Sequence, residues 1–353
     1  MITDLPATGF KKWTKEGFRG AALRAPATQP PFLDQGQVGE LSQSERWDWL
    51  DACHNWHANI PALPIPRYEE LKKVLHRRVD TSRQLDASVR NGLIIDAPAS
   101  IGKTRTTLDF LYAYYRRITR NGSITHLPNG NEFVPAIFTS LSEKTLAKGM
   151  NKDLHRFMHI PPTSGTAEDI GIAAADRAID CGVRVVVVDD YHFLASKHSV
   201  HHDMGNHIKF LMSIIPAVFI LIGVDVEDGG LLNEGLPVGP DDTQSGRRFP
   251  VHHMAPFDLA TDPEEDDWWT LLASLEDRLL LPGKYPGMLS DDLHDYLHER
   301  TQGLIGGLIE LLTEGCWQAL ETGAHVLTQE MLDSIDINYI AEVKSGRRQS
   351  ARA

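Results

Sequence analysis

An α/β protein, with a parallel sheet covered on both faces and a run of helices after it, is the fold class that the sequence predicts. Three observations carry it. Short apolar runs at 93–96, 183–189 and 217–223 alternate with amphipathic stretches of helical period. These runs are apolar almost throughout instead of alternating, as strands buried on both faces are. Strand-like runs stop after Phe249, and only helical periodicity follows.

The elements follow in order. Residues 1–42 contain TGFKKWTKEGFRG and APATQPPFLDQGQ, whose prolines, glycines and weak periodicity predict an extended arm. Residues 43–60 predict a helix capped by Ser42 or Ser44; Ser42 is the better candidate because Glu45 would complete a capping box. The prolines of 61–66 end that helix, and 68–78 predicts another. Strand 93–96, helix 104–119, strand 135–140, helices 142–158 and 166–181, strand 183–189, helix 201–214 and strand 217–223 then alternate, which implies right-handed crossovers. A loop rich in Gly, Pro and Asp spans 227–246. Helices at 266–281, 290–302, 304–322 and 328–335 come last, before a basic, polar tail with the composition of a disordered segment. The expected organisation is an arm and helix (1–60), an α/β domain (61–255), a small helical domain (256–340) and a flexible tail (341–353).

Composition narrows the partners. The net charge of −13 excludes a global basic field for gripping nucleic acid, so any such contact needs a local patch. The acidic runs 262–267 and 290–295 are expected to be solvated helix starts. Cys53, Cys181 and Cys316 lie far apart with no CxxC, which suggests neither a zinc site nor a disulfide framework and suits a reducing cytoplasm. The first residues lack an apolar signal core, and the most apolar runs are of strand length; the expectation is a soluble cytoplasmic protein with no membrane partner.

The strongest local signal is GLIIDAPASIGKTRTTLDFL, in the order strand, small-residue loop, Gly102-Lys103-Thr104, helix. Loop amides and the positive end of the following helix form an anion cradle. Ala97, Pro98, Ala99, Ser100, Ile101, Gly102, Lys103, Thr104 and Arg105 are therefore expected to bind ATP as a P-loop, or Walker A, site. Lys103 would neutralise the β- and γ-phosphates, the Thr104 hydroxyl would ligate Mg²⁺, and Gly102 would let the backbone approach. Ala97 stands where a glycine is usual, with the spacing kept. The apolar run 185–188 ends in Asp189 and Asp190. Asp189 is expected to hold the metal shell and Asp190 to polarise the attacking water. An aspartate at that second position is one methylene shorter than glutamate, which predicts slow hydrolysis.

The sequence resembles the TniB-like, TnsC-related AAA+ transposition ATPases. The resemblance rests on DDYHFL after the apolar strand, then FILIGVDV, GRRFP, LLASLEDRLLLPG, and TQGLIGGLIELL with its helix ending in ALETG. It spans about residues 45–335. It implies an ASCE-type sheet, with strand 217–223 between the P-loop strand and the Asp189 strand, and a C-terminal helical lid. It also implies an ATP-dependent homo-oligomer, ring or filament, on double-stranded DNA, which recruits or activates a transposase and works with a target-selection protein. Arg247 or Arg248 would be an arginine finger acting in trans, and His192 would bond within the nucleotide site. Two features depart from the pattern. The polar sensor after strand 217–223 is indistinct, with Asp225 the nearest candidate, and the 303–307 lid motif has no arginine. A helicase-loader-like ATPase and a nucleotide-gated, non-catalytic interaction protein are the competing readings.

Lys144, Lys148, Lys152 and Arg156 recur at every fourth position and so share one helix face. The resemblance puts that helix on a central channel touching the DNA backbone. The histidines His192, His198, His201, His202 and His207 have no organising ligand motif, and Trp47, Trp56, Trp268 and Trp269 are expected to be core or interface anchors.

Overall fold

The computed structural model describes residues 13–83, 90–141, 147–161, 164–191, 198–226, 248–259 and 267–337. The chain begins with α1 (Lys15–Leu23), α2 (Gln35–Glu40), α3 (Gln43–Ala58) and α4 (Pro66–Thr81). Then come β1 (Leu93–Asp96), α5 (Lys103–Ile118), β2 (Ala136–Ser140), α6 (Ala147–Met158), α7 (Ala167–Asp180) and β3 (Val185–Asp189). After α8 (His198–Ile214), β4 (Val218–Gly223) and β5 (Val251–His253) come α9 (Asp267–Glu276), a π-helical turn at Met288–Asp292, α10 (His294–Thr301), α11 (Ile305–Thr322) and α12 (Gln329–Asp333). Two compact units result. One is Met1–Arg24, Glu70–Ala99 and Lys103–Met254; the other is Ala25–Glu69, Ser100–Gly102 and Ala255–Ala353.

The first unit is built on a parallel five-stranded sheet in the order β2-β3-β4-β1-β5. As the resemblance implies, β4 lies between the P-loop strand β1 and the aspartate strand β3, pairing Leu93 with Ile220 and Val185 with Val218. Every residue of β1, β3 and β4 is buried, which is why their sequences carry no alternation. Contrary to the sequence expectation, the strands do not stop after Phe249: β5 follows it and pairs Val251 with Ile94 on the far side of β1. Three residues, two of them histidines, on a half-exposed edge give too little apolar pattern to be read.

The amino-terminal segment also corrects the sequence reading, because it is helical at α1 and α2 rather than an extended arm. Thr14 caps α1 by accepting from the Gly17 amide, and Asp34 and Gln37 form a capping box on α2. Phe18, 3% exposed, packs among Tyr112, Tyr115 and Phe157, while Lys15 pairs with Glu132. Aromatic burial of this kind is worth about 2–3 kcal/mol and fixes a nine-residue helix that propensity alone would not hold.

The second unit is helical. Ser42 is the cap of α3, with Glu45 closing the box. Trp56 donates to the Arg278 carbonyl, and the Leu280 amide donates to Nε2 of His57. That ring is buried, and desolvation lowers its pKa to about 4. Gly303 is at φ +66°, and a Cβ there would sit 2.0 Å from the Phe257 carbonyl oxygen, so the turn into α11 requires glycine. α9 ends at Glu276, short of the expected 281, and the Glu276 carboxylate accepts from the Gly287 and Leu289 amides. The 290–295 run is not simply a solvated helix start. Ser290 is buried, Asp291 accepts from the Trp269 indole and Asp292 from the Tyr285 hydroxyl. Trp56 and Trp268 are core, whereas Trp47 and Trp269 are 62% and 41% exposed. Cys53, Cys181 and Cys316 are buried thiols, and burial pushes Cys53 up to about 12. Among the described residues, no helix is long and apolar enough to cross a membrane. The whole 227–246 loop, residues 262–266 of the first acidic run and the 341–353 tail lie outside the described residues.

If α1 is an integral layer of the first unit, Phe18→Ala should destabilise the full chain by about 3–5 kcal/mol in urea unfolding. A solvated arm would change stability by no more than about 0.5 kcal/mol.

Candidate functional site

The loop from β1 into α5 is at the carboxyl edge of the sheet, where open parallel sheets bind ligands. Ala97 is anchored by its amide donating to the Gly223 carbonyl at 3.2 Å. Ala97 does not have a positive φ; in this loop positive φ falls on Ser100 (64°) and Gly102 (90°). An alanine at the first position therefore costs no backbone strain, and Gly102 meets the conformational demand. Within the second unit, the loop tip is held by the Tyr68 hydroxyl donating to the Ile101 carbonyl and the Gly306 amide donating to that of Ser100.

Lys103 is 8% exposed. Its ammonium donates to the carbonyls of Ala97 and Pro98 and so folds back across the loop. Burial lowers its pKa, while Asp189, Asp96, Asp190 and Asp225 favour its charged form. The Thr104 hydroxyl donates to Asp189 at 2.8 Å, joining the first turn of α5 to the end of β3. Burial raises the Asp189 pKa, opposed by the Thr104 hydroxyl and the Asp190 amide, which donates to the same carboxylate at 2.9 Å. Asp190 takes φ +58°. Its carboxylate accepts from the Ser140 hydroxyl at 2.6 Å. Arg105 points outward and pairs with Asp109 at 3.3 Å.

Ser140 and Asp96 are the residues that sequence reading missed. Ser140 is the polar last residue of β2, in register with Asp189, and a hydroxyl at a strand end beside an acidic strand end is the signal that was there to find. Asp96 ends β1 as a buried carboxylate one residue before the loop.

Other candidates lie elsewhere. The Arg248 carbonyl accepts from the Gly92 amide, at the amino edge of β1 and opposite the P-loop, so Arg248 is not brought to its own chain's Lys103. Arg247, Lys144 and His192 lie outside the described residues. Lys148, Lys152 and Arg156 all face outward on α6. Lys148 donates to the Gly165 carbonyl, and Arg156 pairs with Asp153 beside a cavity of about 370 Å³ that Trp13 and Phe138 also line. Asp225 follows β4 at φ +51° and is exposed. His207 bonds Asn151, and the side chains of His198, His201 and His202 lie outside the description.

No protein-family model and no curated protein sequence matches the chain. Among solved structures it is similar to Cdc6p from Pyrobaculum aerophilum, at 15% identity and a TM-score of 0.53 over 77% of this chain and 66% of that one. It is also similar to the ORC1 protein of Aeropyrum pernix, solved in complex with DNA, at 16% identity and a TM-score of 0.52 over 79% of this chain and 67% of that one. The chain thus spans about two thirds of the length of these proteins. The likeness shows the fold: a five-stranded parallel sheet flanked by helices, an α/β fold of the P-loop NTPase kind.

Thr104→Val removes the hydroxyl that opposes desolvation at Asp189. The Asp189 pKa, followed by carboxyl ¹³C NMR titration, should then rise further above the ordinary carboxylate range. An unchanged titration would mean that the two side chains are not coupled.

Proposed function

We propose that this chain binds ATP with Mg²⁺, hydrolyses it slowly, and acts as an oligomeric regulator of DNA transposition on duplex DNA. The observation that carries the nucleotide reading is the contact between the Thr104 hydroxyl and Asp189, which couples the P-loop to the acidic strand end. An exposed turn with a chance GKT sequence has no reason to make it.

The residues fit the metal. A hydroxyl and a carboxylate 2.8 Å apart are hard oxygen donors, and Mg²⁺ takes one or two such protein ligands and completes its shell from phosphate and water. When bound, the ion supplies neutralisation of the phosphate charge. The loop amides and Lys103 hold the triphosphate, with the ammonium leaving the Ala97 and Pro98 carbonyls for phosphate oxygens. Asp190 accepts the proton of the water that attacks the γ-phosphoryl group in line, and Ser140 fixes its carboxylate. The short reach of aspartate at that position supports slow turnover.

The trans arginine and the DNA contact rest on the resemblance and on supporting geometry. Arg248 is remote from its own P-loop, so a finger role for Arg247 or Arg248 needs a neighbouring subunit. Head-to-tail repetition of such a contact builds a ring or a helical filament. The outward-facing Lys148, Lys152 and Arg156 suit phosphate contacts that position without reading sequence. Recruitment of a transposase and a target-selection protein is the finer reading that the sequence resemblance supports. A loader-like ATPase acting on a replicative helicase is the competing reading, and the fold likeness to ORC1, solved with DNA, suits either one. Binding to a purified transposase or to a helicase separates the two.

Negative-stain imaging and light scattering with duplex DNA, Mg²⁺ and a non-hydrolysable ATP analogue should show rings or filaments that dissolve on chelation with EDTA. Monomers alone under those conditions would overturn the assembly reading.

A further inference from the structure

We propose that the face built from the carboxyl-terminal halves of α4 and α5 is a contact surface for the phosphate backbone of duplex DNA. This rests on the DNA reading above, but it names a different surface from the α6 stripe.

In a chain of net charge −13, the exposed side chains of Lys73, Arg77, Arg83, Arg116, Arg117 and Arg120 gather on these two helices and the turns that leave them. Contacts tie the two helices together. Asp80 on α4 accepts two bonds from Arg117 on α5, at 2.8 and 3.0 Å, and one from Arg83 at 2.6 Å. One carboxylate thus orients two guanidinium groups and leaves an excess of positive charge between them. Arg117 also sits 5.5 Å over the Tyr114 ring. Arg116 is anchored by donating to the Ala22 carbonyl at 2.8 Å, which fixes the side chain without cancelling its charge. Guanidinium groups already held in place lose less entropy on binding an anion. The field is felt locally: the His76 pKa is lowered first by burial and then by Arg117 and Lys72, against the opposing pull of Asp80.

The bland explanation is partial. A helix dipole favours cations in the last turn, which accounts for Arg116 and Arg117. It does not account for Lys73 and Arg77, like charges at i and i+4 that repel by a few tenths of a kcal/mol, nor for Arg83 and Arg120 beyond the helix ends.

The surface itself selects the partner. Among the described residues, no large hydrophobic side chain of 70–83 or 116–121 is exposed. A membrane-binding helix needs an apolar face, and single strands need aromatic stacking platforms, so a duplex backbone is the anion that fits. α5 starts at Lys103, and its sixteen residues carry the arginines about 24 Å from the P-loop, toward the amino edge of the sheet. DNA and nucleotide can therefore be held at once.

The test is fluorescence anisotropy of the full chain with a labelled random-sequence duplex across a salt series. It compares wild type, the combined Lys73→Ala, Arg77→Ala and Arg120→Ala variant, and a Lys148→Ala, Lys152→Ala variant. Thermal unfolding and ATP affinity are measured alongside. The combined variant should bind at least about tenfold more weakly at low salt, and its log–log salt slope should be shallower by about 2–3, with fold and ATP affinity unchanged. Wild-type affinity and slope in that variant would overturn this inference alone. No DNA binding by wild type would overturn it together with the DNA reading. Loss of binding to phosphatidylserine vesicles with DNA binding intact would overturn it in favour of a membrane surface.

Discussion

Lys103 carries its ammonium into a site where it is 8% exposed, facing Asp189, Asp96, Asp190 and Asp225. Among the described residues, four carboxylates favour the charged form of this ammonium. A triphosphate can enter only if a divalent ion comes with it and if the ammonium is free to leave its own loop for the phosphate oxygens. The geometry answers both demands. The Ala97 and Pro98 carbonyls hold the ammonium in the meantime, and Thr104 and Asp189 present two adjacent oxygens for the ion. The rest of the first unit keeps those atoms in register. Fully buried β1, β3 and β4 fix the loop and the acidic pair at one edge of the sheet, and β2 brings Ser140 to Asp190.

Much of this was legible in the residues. The strands of the sheet interior could be read because both their faces are buried, and VVVVDD and IID keep that record without ambiguity. The P-loop was legible even without its first glycine, since Ala97 needs no positive φ and Gly102 does. What was hidden depends on tertiary neighbours. α1 is short and only moderately patterned, and it exists because Phe18 finds an aromatic pocket on α5 and α6. β5 is a three-residue edge strand that pairing with β1 creates. α9 stops at Glu276, whose carboxylate holds two distant amides that no local pattern announces.

The basic face shows the same limit from the other side. The α6 cations stand out in sequence because they repeat every fourth residue. The α4 and α5 cations are about forty residues apart and come together only when Asp80 meets Arg117. Seen in three dimensions, these two sets of described cations lie on separate surfaces, and the P-loop lies at the opposite end of α5 from the second of them. On the proposed reading, nucleotide state would govern subunit contact, while a sequence-blind hold on phosphate would supply the track.

All of this presupposes that the ammonium of Lys103 serves a phosphate chain. Calorimetric titration of ATP with Mg²⁺ into wild type and the Lys103→Ala variant, both verified as folded, addresses that point directly. The account predicts a loss of affinity on the order of a hundredfold or more in the variant. Equal affinity in the two proteins would contradict it.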